Sequence, residues 1–117
     1  MKDLENMVTS IRDELNRLYE ADYTDEERDE MEDRGEAHDL YSYLDDALDI
    51  GCIIGGNMDF LGARIAVKLG EPNIYVNTRT GYVEGYWGTD KVEARIPSEV
   101  CDEINAIFED YYNAARA

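Results

Sequence analysis

The sequence predicts an α+β fold: N-terminal helices, an antiparallel β-sheet of four to five strands, and a C-terminal helix packed on the sheet. Apolar residues recur with a helical period up to about residue 50 and again after Pro97, whereas between these points they alternate with period two. Glycines mark most joints of that middle stretch, as tight turns between short strands require. With 117 residues and 44% apolar side chains the chain supports one modest core. We expect a single domain over 1–117, made of an acidic helical part (1–50), the sheet (51–97) and the C-terminal helix (98–115).

The first helix is read over residues 3–20, where Leu4, Val8, Ile11, Leu15 and Leu18 follow one another at steps of 4, 3, 4 and 3 and Met7 widens the stripe. Such a stripe packs on a core, or forms a short coiled-coil seam through which a homodimer could assemble. Its two and a half heptads fall short of the three or four a stable seam needs. Thr24-Asp25-Glu26-Glu27 fits a capping box, so a second helix is expected over Asp25 to Arg34. Its one large apolar side chain is Met31, which places it on the surface. Gly35 stops or bends it. Ala37, Leu40, Tyr41, Leu44, Ala47 and Leu48 predict a third, core-facing helix running up to Ile50-Gly51.

The candidate strands are Gly51–Ile54, Leu61–Leu69, Asn73–Asn77, Tyr82–Trp87 and Lys91–Ile96, joined by links too short for anything but antiparallel neighbours. In the last of them Val92, Ala94 and Ile96 alternate with Lys91, Glu93 and Arg95, the pattern of a sheet with one wet face. Helices should cover the other face. Pro97-Ser98 closes the sheet and caps the final helix, whose stripe is Val100, Ile104, Ile107, Phe108 and Tyr111.

Charge is the most informative property. Against 11 Lys and Arg stand 28 Asp and Glu, a formal net charge of −17. Direct contact with nucleic acid or with anionic lipid is repelled by such a chain. Its natural partners are basic surfaces, above all the grooves in which other proteins hold nucleic acid. A high-salt habitat, where acidic surfaces stay solvated, is the competing explanation. The charge is polarised: residues 1–50 hold 18 acids and five bases, net −13, which leaves −4 for the remainder. Residues 20–36 alone hold ten acids, Glu20, Asp22, Asp25, Glu26, Glu27, Asp29, Glu30, Glu32, Asp33 and Glu36, against Arg28 and Arg34. Like charges three and four residues apart cost a helix a few tenths of a kcal/mol per pair, so a compensating use is expected. Carboxylates about 5–6 Å apart along a helix can imitate a run of phosphates read by Arg and Lys. The plain alternative is an over-solvated helix or a disordered acidic tether. Asp39, Asp45, Asp46 and Asp49 extend the acidic surface.

Catalytic and metal-binding chemistry is poorly supplied, and no cofactor is implied. Asp45-Asp46-Ala47-Leu48-Asp49 has the spacing of a diphosphate-binding carboxylate motif, but the chain is far too short for the all-helical fold that uses it. His38, the single histidine, lies among Glu36, Asp39 and Asp45 and reads as an exposed helix residue rather than an acid or base. Cys52 and Cys101 have apolar neighbours and read as buried free thiols. Tyr82, Glu84 and Tyr86 alternate onto one sheet face and serve either as a protein-contact surface or as cross-strand packing beneath a helix. Met1 is followed directly by Lys2-Asp3-Leu4-Glu5 with no apolar run of signal length, from which a cytoplasmic location and no membrane association are expected.

In size, net charge and possession of an acidic block the chain resembles the small phage- or mobile-element-encoded inhibitors of bacterial defence, the anti-CRISPR and anti-restriction DNA mimics. Asn77-Thr78-Arg79-Thr80-Gly81 through Tyr86-Trp87-Gly88 also looks like a hairpin recurring in phage-associated proteins. The resemblance implies stoichiometric inhibition without catalysis, in the cytoplasm of a bacterial host. The expected partner is a basic nucleic-acid-binding protein, a CRISPR effector or a restriction enzyme, with no direct contact to nucleic acid. The alternative is an acidic protein-interaction domain with no defence target, whether from a high-salt habitat or not.

Overall fold

The stripe of the first segment, the capping box and the alternating middle stretch each become the element their pattern dictates. In a computed structural model that describes residues 2–45, 47 and 49–116, the order is α1 (Lys2–Glu20), α2 (Asp25–Asp33), α3 (Leu40–Asp45), β1 (Asp49–Ile54), β2 (Phe60–Lys68), β3 (Asn73–Asn77), β4 (Tyr82–Trp87), β5 (Asp90–Arg95) and α4 (Ser98–Arg116). The five strands form one antiparallel meander in the order β1-β2-β3-β4-β5. The fold is α+β.

Period two decides which residues face the helices. Ile65, Ile74, Val76, Val83, Ala94 and Ile96 point to one side and are buried. Leu4, Val8 and Leu15 of α1, Leu40 and Leu44 of α3, and Val100, Ile104 and Phe108 of α4 close over them in one core. Helix α1 lies across β4 and β5, and α4 across β2. Gly85 makes the first of these contacts possible: a Cβ there would stand 2.5 Å from Val8 Cγ2 and 2.9 Å from Leu4 Cδ1. The α1 stripe is thus used inside the chain, and the side of the helix expected as a dimer seam is buried against the sheet.

The third helix departs from expectation at both ends. It begins only at Leu40, because Asp39 Oδ1 accepts from the Ser42 amide at 2.7 Å and Ser42 Oγ accepts from the amides of His38 and Asp39, which turns the chain before the helix. It ends at Asp45, and the chain is already a strand at Asp49 because Ile50 and Cys52 pair with Ile65 and Ala63 at the sheet edge. Sheet pairing wins over local helical spacing. Asp46 and Leu48 lie outside the described residues. At the start of α4, the carbonyl of Pro97 accepts from the amides of Val100 and Cys101, so Ser98 stands inside the helix rather than capping it. Tyr111, expected in the buried stripe of α4, is exposed.

The turn between β3 and β4 is tied to the helical layer. Asn77 Oδ1 accepts from the amides of Arg79 and Thr80, while Thr78 Oγ1 accepts from the Ala63 amide and donates to Asn105 Oδ1 of α4. These bonds account for Asn77 and Thr78 being buried although polar.

Candidate acidic interaction surface

Helix α2 is built as the sequence predicts and buries almost nothing. Thr24 Oγ1 accepts from the Glu27 amide at 3.2 Å, and Glu27 Oε1 accepts from the Thr24 amide at 3.2 Å, which completes the capping box. Met31 is the helix's one buried residue. At 100° per residue, Asp25, Glu26, Asp29, Glu30 and Asp33 fan over an arc of about 140° on the side away from Met31. Arg28, Arg34 and the capping Glu27 lie on the Met31 side. All five carboxylates of the arc are exposed, and among the described residues none has a cation within 4.0 Å.

The other predicted acids divide by what they hold. Asp39 caps α3 and its Oδ2 lies 3.5 Å from His38 Nδ1. Glu32 meets His38 Nε2 at 3.1 Å, and Glu36 takes the Arg34 guanidinium at 3.2 Å on both oxygens. These three are structural, as is Glu27. Glu20, Asp22, Asp45 and Asp49 are exposed at the end of α1, in the link to α2, at the end of α3 and at the start of β1. They extend the surface without joining the arc. Asp46 belongs to the predicted set and lies outside the described residues.

Behind α2 runs a cleft of about 930 Å³ between α1, α2 and residues 35–45. Carboxylates of Glu14, Glu32, Glu36 and Asp45 line it together with Tyr23, Tyr41 and Tyr43. Arg17 projects into it, held by both oxygens of Glu14 and by the Tyr23 hydroxyl at 2.7 Å. The hydrogen bonds to Glu14 come first among the causes that hold this guanidinium firmly protonated. Burial, reinforced by the charge of Glu14, pushes the Tyr43 hydroxyl above its ordinary pKa. His38 also lines the cleft with only 11% of its side chain exposed, in the turn before α3, so it is neither exposed nor on a helix. The signal for this was present in Asp39-Leu-Tyr-Ser42, a turn spacing read through as helix.

Tyr82, Glu84 and Tyr86 take part in cross-strand packing on the face away from the helices rather than beneath one. Arg64 lies 3.7 Å over the Tyr75 ring, Arg95 5.5 Å over Tyr82 and Lys91 5.7 Å over Tyr86. Tyr75 and Tyr86 meet edge to face at 6.1 Å. Within this layer Glu84 is only 5% exposed, accepts from Asn77 Nδ2 at 3.2 Å and faces Arg64 Nε at 3.7 Å. Sequence reasoning found Tyr82, Glu84 and Tyr86 and put Lys91 and Arg95 on a wet face, but missed Arg64 and the pairing of each cation with its ring, which becomes visible only with the register of four strands.

Cys101 is buried and Cys52 half-buried, both as free thiols, and burial raises both pKa values. Among the described residues no group of three His, Cys, Asp or Glu side chains is arranged to hold a metal ion, and no helix is long and apolar enough to cross a membrane. No protein-family model, no curated protein and no solved structure matches the chain.

Proposed function

We propose that this protein is a non-enzymatic inhibitor whose α2 surface imitates nucleic-acid phosphates and blocks the basic DNA- or RNA-binding channel of a bacterial defence nuclease, a CRISPR effector in the first instance. The observation that carries the reading is the outward arc of α2, where five exposed carboxylates make no ion pair within 4.0 Å among the described residues, on a helix that buries a single side chain. An arc spent on the chain's own folding would be paired. The arc also carries its carboxylates in steps of three and four residues, so successive charges lie about 5–6 Å apart at Cβ and can be met by a row of Arg and Lys. Each repulsion along the helix costs a few tenths of a kcal/mol in the free protein and is relieved when a basic channel closes on it.

The test is competition. The protein is titrated into a panel of CRISPR effectors and restriction enzymes, and displacement of labelled nucleic acid and residual cleavage are recorded between 50 and 200 mM salt. We expect displacement from one member of the panel, saturation at a fixed stoichiometry, and affinity that falls steeply with salt because exposed ion pairs dominate. Inhibition that leaves nucleic acid bound and is insensitive to salt would overturn mimicry. One molecule inactivating many targets would replace it with an enzyme.

A further inference from the structure

The two most exposed large apolar side chains among the described residues, Tyr111 at 64% and Tyr41 at 56%, stand on the walls of one groove. This groove, of about 500 Å³, is lined by residues of α3, α4 and β1, with Ile50, Ile107, Asp45 and Asp110 joining the two tyrosines in its walls. Tyr41 and Asp45 also line the acidic cleft behind α2, so the apolar groove and the carboxylate-lined cleft share a wall. Among the described residues neither Asp45 nor Asp110 has a cation within 4.0 Å.

We infer that this groove is a docking site for a basic amphipathic segment of the protein partner, which inserts one apolar side chain between Tyr41 and Tyr111 and sets an adjacent Lys or Arg against Asp45 or Asp110. The inference rests on the proposed function in taking the partner to be a basic protein, but it uses a surface separate from the outward arc of α2. Charge selects the occupant. An acidic segment or a nucleic acid meets Asp45 and Asp110 as like charges. A second copy brings −17 against −17. A cationic segment with an apolar anchor gains on both sides: the tyrosines give rigid contact area at small entropic cost, and the carboxylates fix register.

The probe is a synthetic 12-residue amidated helical peptide of Lys and Leu with one Trp, titrated into the isotope-labelled full chain at about 150 mM salt and followed by backbone amide shifts. Two control peptides keep the length: one replaces Leu and Trp with Ser at equal charge, the other replaces Lys with Glu. We expect shifts at Tyr41, Ile107 and Tyr111, at least tenfold weaker binding of both controls, and at least tenfold weakening by Tyr41→Ser with Tyr111→Ser. Both tyrosines are exposed, so the double variant should keep its circular dichroism and melting temperature. Reversing Glu26, Asp29, Glu30 and Asp33 to Lys should change peptide affinity less than threefold, which separates this site from the arc. The inference is overturned if the Lys and Ser peptide binds equally well, if shifts map to α2 alone, or if the first peptide does not bind at millimolar concentration. It is overturned likewise if sedimentation shows a dimer that Tyr41→Ser breaks. None of these outcomes bears on displacement of nucleic acid by the arc, whose failure would show in the competition assay alone.

Discussion

On the open face of the sheet, Arg64 lies over Tyr75 and faces Glu84, Lys91 sits over Tyr86 and 3.6 Å from Glu93, and Arg95 covers Tyr82. On α2, Asp25, Glu26, Asp29, Glu30 and Asp33 are exposed and make no ion pair within 4.0 Å among the described residues, the nearest approach to one being the charge of Glu30 acting on Arg34. Both surfaces are polar and both look outward. The difference is that charges on the sheet are matched across strands by side chains distant in sequence, whereas charges on α2 have only their own helix for company and that helix is acidic. Charge matched in this way contributes to the fold. Charge left unmatched, at a cost in helix stability, is available to a partner.

Charge reversal gives the largest expected contrast. Glu26→Lys, Asp29→Lys, Glu30→Lys and Asp33→Lys together should weaken binding to the basic target by about 2–4 kcal/mol, roughly 30- to 1,000-fold, if each exposed ion pair contributes about 0.5–1 kcal/mol. Stability should stay within a few tenths of a kcal/mol of the parent, since the i,i+4 pairs at 26–30 and 29–33 exchange one like-charge repulsion for another, Asp25 gains an opposite charge at position 29, and the loss of Glu26 from the first turn is offset by Asp33→Lys at the C-terminal end of the helix dipole. Glu27 must be left in place, because its carboxylate closes the capping box and its loss would cost about 1 kcal/mol for reasons unrelated to binding. Denaturant unfolding alongside the competition assay measures both quantities. A quadruple variant that still inhibits would end the distinction between the two surfaces.

The second contrast runs the other way. Arg64→Ala removes both the cation over Tyr75 and the charge facing the buried carboxylate of Glu84, and should lower stability by about 1–3 kcal/mol with no effect on partner binding. Glu84→Gln in the same background should recover part of that loss, because the group left behind is then neutral. If Arg64→Ala weakens the partner and spares the fold, the open sheet face is a binding surface after all.

How much of this was legible beforehand follows the same line. The elements α1, α2 and α4 and all five strands could be read because local periodicity, the Thr24–Glu27 box and the glycine joints each act within a few residues. The acidic arc could be read too, since its carboxylates share one helix. What escaped needed contacts between remote segments. Sheet pairing of Ile50 with Ile65 cut the third helix short, the cation over each tyrosine came from another strand, and Glu84 was buried by Arg64 and Tyr75 rather than by a helix. The cleft depends on how α1, α2 and residues 35–45 lie against one another, and the Tyr41–Tyr111 groove on how α3, α4 and β1 do, which no spacing encodes.

The smallest effect expected is at alkaline pH, and it touches both halves of the molecule. Burial raises the Cys101 thiol above its ordinary value of 9.0, with the charge of Asp102 adding to the shift and that of Arg95 opposing it. Burial and Glu14 raise the Tyr43 hydroxyl above 10.0. In each case the folded state favours the neutral form, so the unfolded chain loses its proton first as pH rises. Stability linked to these groups is therefore fully present below pH 9 and declines above it, through Cys101 first and Tyr43 about a unit later. Cys101 belongs to the packed sheet and α4 layer, and Tyr43 to the acidic cleft. Cys101→Ala should flatten the slope of unfolding free energy between about pH 9 and 10, and Tyr43→Phe the slope above about 10, even though each variant shifts the neutral-pH baseline by its own packing change. The measurement is denaturant unfolding at steps of half a pH unit. A slope unchanged in both variants would assign the alkaline loss to other groups that titrate in this range, Cys52 first among them because burial raises its thiol too, and would remove both Cys101 and Tyr43 from the account.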